Sequence, residues 1–212
     1  MKKTTCLLFL FTFNFGVYAQ KSFEGTIKFK SEIMTTNLSK PDFKEKLERK
    51  YGDSLIVFYS QNGNLKRKYL NSGDLGNDFQ IFNAKKGMLY LKNKNSVKID
   101  SGNVKINSII KLIHKKKISN EYIMNLDCEC YEYVGLSKFN QNITLTYCFS
   151  KLTPKIDFKL FENHNDFFLN EFFQSSERPY LKFSIETEKF KITYFATKME
   201  EKNIDNKIFE IN

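Results

Sequence analysis

Four cysteines and two histidines are the residues of this chain best suited to forming bonds or holding a metal. Three of the cysteines fall close together: Cys128 and Cys130 in "LDCECYEYV", and Cys148 on the next apolar stretch. Zinc would want four Cys or His ligands. Beyond these three and Cys6 near the start, the chain offers only His114 and His164 as Cys or His ligands, and neither histidine stands at ligand spacing from them. A redox pair would show as Cys-x-x-Cys opening a helix, where the helix dipole lowers the thiol pKa. Here one residue separates the pair, and the surrounding pattern is that of a strand. A structural disulfide is the remaining chemistry. His164 lies beside an aromatic stretch with no serine elbow, no paired acids and no second histidine at a useful spacing. We expect no catalytic residue, no metal site and no cofactor.

Compartment decides whether a disulfide is tenable. The chain opens MKKTTCLLFLFTFNFGVYAQ: two lysines, a short apolar run from Cys6 to Phe15, then small residues up to Ala19. This reads as a cleaved export signal over residues 1–19. The run is well short of the ~20 residues that span a bilayer as a helix. Cys6 lies too early for a lipid anchor at the cleavage point. An oxidising, exported setting, periplasmic, outer-membrane-associated or extracellular, makes a structural bridge the default for a pair of cysteines. It also argues against a nucleic-acid partner. Removing the signal takes Lys2 and Lys3 and no acids, so a formal charge of +10 becomes 10 − 2 = +8. Residues 20–212 are long enough for a real core and show no Ser/Gly-rich linker, which suits one β-rich domain.

The elements that must position the cysteines are strands. In "FEGTIKFKSEI" the set Phe23, Gly25, Ile27 and Phe29 alternates with Glu24, Thr26, Lys28 and Lys30, one dry face and one wet. "SLIVFYSQNGNLKRKYL" sets Asn62 and Gly63 between two such runs, a hairpin signal. Further short strands follow at "DFQIFN", "MLYLKN", "SVKID", "EYIMNLDCECYEYV", "NITLTYCFS", "YLKFSIE" and "KFKITYFATKM". If residues 186–189 form the last turn, Leu181, Phe183 and Ile185 oppose Tyr194, Ile192 and Phe190. Helical spacing is scarcer: residues 42–50, stopped by Gly52, and "NDFFLNEFFQSS", where Phe168 and Phe172 recur at i, i+4. Strand after strand with one or two covering helices predicts an α+β fold, a single curved antiparallel sheet.

On that sheet, neighbours two apart on one strand, such as Cys128 and Cys130, have alpha carbons about 6.6 Å apart, at the limit for a bridge. A five-residue loop over residues 137–141 would pair Leu136 with Asn142 and therefore Cys130 with Cys148. A slip of two residues would bring Cys128 there instead. The favoured bridge is Cys130–Cys148, with the third thiol buried as a small apolar residue.

Two further groups could form binding sites. Lys111, Lys115, Lys116 and Lys117 in "KLIHKKKIS" could meet an anionic membrane surface, or could defend an edge strand against sheet-to-sheet pairing. Phe158, Phe161, Phe168 and Phe172 could wall a cavity for a lipid or apolar small molecule, or simply be core.

The ending "YAQ" of the signal, the first strand "FEGTIKFK", a cysteine followed by "YEY", and the closing "ITYFATKMEEKNIDNKIFEIN" with Ile204, Asp205, Phe209 and Ile211 resemble small exported proteins of Gram-negative bacteria. Those belong to uncharacterised families related to the outer-membrane lipoprotein carriers (LolA/LolB-like). The resemblance implies an unclosed antiparallel half-barrel capped by helices, binding an apolar or lipid-like molecule in its concavity. The competing expectation is a structural or protein-interaction component of the envelope with a solid aromatic core.

Overall fold

In a computed structural model of the chain, residues 21–106 and 109–211 are described, so the expected export signal lies outside them. Eleven strands form one antiparallel sheet: β1 (Gly25–Thr35), β2 (Ser54–Tyr59), β3 (Leu65–Leu70), β4 (Asn77–Asn83), β5 (Met88–Asn93), β6 (Ile99–Asn103), β7 (Ile109–Ile123), β8 (Leu126–Ser137), β9 (Asn142–Phe149), β10 (Lys182–Glu186) and β11 (Phe190–Glu201). Two α-helices, α1 (Phe43–Tyr51) and α2 (Leu169–Ser176), interrupt the succession of strands. The order across the sheet is β6-β5-β4-β3-β2-β1-β11-β10-β9-β8-β7. Every neighbouring pair is consecutive in the chain except β1 and β11, which zip the two halves together along Gly25–Thr35.

That order forces the sheet to curl. Ten gaps of about 4.8 Å would set the edge strands β6 and β7 roughly 48 Å apart if the sheet were flat. Yet β6 ends at Asn103 and β7 begins at Ile109, and six residues of chain reach at most about 21 Å. The two edges therefore face each other across a gap without pairing, and the sheet is an open half-barrel. Its concave face is filled by the segment between β9 and β10, which carries the 3-10 turns Phe158–Phe161 and Asp166–Phe168 and the helix α2.

Alternation builds the concave wall. Ile27, Phe29 and Ile33 on β1, Leu55, Val57 and Tyr59 on β2, and Ile192 and Tyr194 on β11 are all buried at every second position. The Asn62–Gly63 hairpin forms as expected, with Ser60 N–H donating to the Asn64 carbonyl at 3.0 Å and Gly63 at φ 81° inside the loop. Helix α1 ends at Gly52, whose φ of 71° suits a residue without a side chain. In the last hairpin the register differs from the sequence expectation by two residues: Phe183 pairs with Tyr194 and Ile185 with Ile192. The cause is Thr187, whose N–H donates to the Phe190 carbonyl while its hydroxyl accepts from Lys189 and Phe190 N–H. The turn therefore starts one residue later than expected, and because the slip is even the same face stays buried.

Candidate functional site

The cysteines settle into one staple. Pairing of β8 with β9 sets Leu136 opposite Asn142 and Cys130 opposite Cys148, and those two are disulfide-bonded. The next pair along, Tyr131 and Tyr147, points to the other side of the sheet. The bridge thus lies on the face opposite the concavity. Cys128 is free and buried, and burial pushes its thiol pKa up to about 11, far from a reactive thiolate. Glu121 approaches Cys130 and Cys148 closely enough to suggest a metal cluster. Both sulfurs are consumed in the bridge, however, and Lys182 Nζ holds the Glu121 carboxylate at 2.6 Å.

On the concave side, a cavity of about 110 Å³ opens between the sheet, the end of α1 and the turn at Asp166–Phe168. Its apolar wall is Leu55, Ile185, Ile192, Phe167, Phe183 and Phe190. The opposite end is polar: Arg67 and Gln80, directly paired across β3 and β4, with tyrosines 51, 69, 147 and 194 around them. Arg67 stands between Leu65 and Tyr69 on the inward face of β3, a position the alternation reserves for an apolar residue. Its Nε donates to the Tyr180 hydroxyl at 3.3 Å. No carboxylate lies within ion-pair distance of it among the described residues. Burial pushes the pKa of Tyr59, Tyr147 and Tyr194 well above the ordinary phenol value, so these hydroxyls stay neutral and cannot offset the guanidinium charge.

The cover of this cavity is under backbone strain. Phe167 and Phe168 both hold left-handed conformations, φ 55° and 54°, which for bulky residues cost on the order of 1–3 kcal/mol each. Surrounding contacts over-determine them. Tyr147 hydroxyl donates to the Phe167 carbonyl at 2.9 Å, and Asn165 N–H donates to the Val104 carbonyl at 3.0 Å, anchoring the turn to the crossing between the sheet edges.

Of the four phenylalanines singled out in the sequence, none lines the cavity. Phe161, Phe168 and Phe172 are buried in ring-to-ring contacts, Phe161 on Phe173 at 4.4 Å, Phe168 on Tyr133 at 6.3 Å and Phe172 on Tyr147 at 4.7 Å. Phe158 packs half-buried at the margin of the core. The residue of that segment which faces the cavity is Phe167, and the polar residue at its far end is Arg67. A signal for Arg67 existed in "NLKRKYL": strict alternation puts Leu65, Arg67 and Tyr69 on one side and Lys66 and Lys68 on the other.

The lysines of β7 lie on an edge strand that, among the described residues, pairs only with β8. Lys116 and Lys117 bind Glu132 and Glu129, each at 2.9 Å. Lys115 donates to the Ser175 hydroxyl and sits over the Tyr131 and Tyr133 rings at 5.7 and 5.2 Å. Lys111 is exposed. Comparison of the sequence with models of known protein families and with curated proteins finds no match in either. Among the described residues, no helix is long and apolar enough to cross a membrane.

Proposed function

We propose that this chain is an exported, non-catalytic binding or carrier module whose apolar or lipid-like ligand sits in the concavity of the half-barrel. The observation that carries the reading is the cavity under the strained Phe167–Phe168 cover, an internal space where an otherwise ring-packed core stops being solid. The disulfide supports an oxidising compartment, as export would provide. The resemblance to lipoprotein carrier-like half-barrels points the same way. A ligand longer than a few carbons needs more than about 110 Å³, since small-molecule pockets usually run to several hundred. The strained cover supplies that room by swinging out, which relieves its backbone.

The test is uptake. Delipidated protein titrated with a fluorescent fatty acid should show saturable binding, and at a hundredfold excess over Kd its melting temperature should rise by about 5–10 °C. A well-folded sample that neither takes up the probe nor shifts its melting temperature would leave a solid-cored structural or interaction protein of the envelope as the reading.

A further inference from the structure

We propose that the ligand of this cavity is an amphiphilic monoanion, a carboxylate on an apolar body, with Arg67 as its counter-ion; this rests on the carrier reading above. A guanidinium partly withdrawn from water at an apolar wall gains from an anionic partner that its N–H groups can bond. Arg67 is inward-facing on β3, between Val57 on one neighbouring strand and Gln80 on the other. It makes one hydrogen bond, through Nε to Tyr180. The rest of its fork has no protein partner among the described residues, and the residue lines the cavity. A half-buried charge kept at the cavity wall without an acidic partner is placed to receive one from outside.

The shape of the site narrows the class. One cation asks for one negative charge. The planar fork of arginine matches a carboxylate through two parallel hydrogen bonds, with Gln80 beside it as a further donor. Beyond that polar end the wall is aliphatic and aromatic, ending at Phe167. A volume of about 110 Å³ equals roughly four waters of liquid, enough for the headgroup and the first carbons of a tail. The remainder of the tail leaves under Phe167, past the strained cover.

The experiment is displacement of a bound fluorescent fatty acid by four ligands with the same ten-carbon tail: decanoate, decanol, decyltrimethylammonium and decyl phosphate. Decanoate should compete about tenfold or more better than decanol and decyltrimethylammonium, the size of one desolvated charge-assisted contact. In Arg67→Gln that preference should vanish while decanol binding is unchanged. Equal competition by decanoate and decanol in the native protein overturns the inference and leaves the carrier reading standing. Decyl phosphate outcompeting decanoate tenfold overturns the carboxylate assignment. If the probe itself never binds, the carrier reading fails first and takes this inference with it. The native series decides the matter even if Arg67→Gln does not fold.

Discussion

His164 shows how far a residue's surroundings override its type. It is 1 % exposed, packs on Phe82 at 4.4 Å between ring centroids, and neither ring nitrogen has a hydrogen-bond partner among the described residues. Burial, reinforced by the nearby Arg67 charge, lowers its pKa to about 3. It is therefore neutral in the folded protein and ordinary, near 6.5, in the unfolded chain. The unfolded state binds the extra proton, so the stability this residue contributes is fully present above pH 6.5 and is lost as pH falls from there towards 3. Between pH 7 and pH 5 the loss amounts to about 2 kcal/mol. Urea unfolding at those two pH values should show it, and His164→Phe, an apolar ring in an apolar site, should be more stable at pH 5 and have a flatter pH profile. A His164→Phe profile as steep as the native one would assign the acid sensitivity to other groups. Its surroundings are those of a core residue.

At the scale of elements, the hairpin of β8 and β9 was legible because its register depends on local quantities only: a five-residue loop and a period of two. The disulfide follows from them. Cys130 and Cys148 are 18 residues apart, and closing a loop of that size stabilises by about 3 kcal/mol through the unfolded chain. Cys148→Ser should lose about that much in chemical denaturation, and adding a reductant to the native protein should reproduce the loss. Cys128→Ala, a small change at a buried free thiol, should cost about 1 kcal/mol. If mass spectrometry of the oxidised protein finds Cys128 joined to Cys148, the register is two residues off. The β10–β11 turn was less legible, since a threonine hydroxyl capturing two backbone N–H groups decides where the chain reverses, and alternation is blind to that choice. Arg67 was hidden by the same reading that found the strands. Three consecutive cations in "KRK" look like one wet face, whereas a strand must turn every second one inward. The strained turn at Phe167 and Phe168 left no trace in the pattern, because the i, i+4 spacing of Phe168 to Phe172 and of Leu169 to Phe173 fits a continuous helix and the break comes from tertiary contacts.

For the whole molecule, the open question is where its charge acts. The chain without residues 1–19 carries +8, and an anionic vesicle should attract it at low salt. The Debye length is about 8 Å at physiological ionic strength, so only cations free to reach contact distance contribute. The basic run of β7 does not have that freedom. Lys116 and Lys117 already face Glu132 and Glu129, and Lys115 is turned onto tyrosine rings and Ser175. These contacts, with three register breaks along β7, suit an edge strand of 15 residues that has to be kept from pairing with another sheet. Cations on the outer faces of other strands, such as Lys28 and Lys30, are exposed and account for more of the attraction. We therefore expect the protein to co-sediment with anionic vesicles at low salt, to release between roughly 0.1 and 0.3 M salt, and to ignore neutral vesicles. Changing Lys115, Lys116 and Lys117 to Gln should weaken vesicle binding by less than about threefold, while the same variant should self-associate more readily on concentration. A loss of tenfold or more would make β7 the membrane-facing edge and its glutamate pairs exchangeable for lipid headgroups.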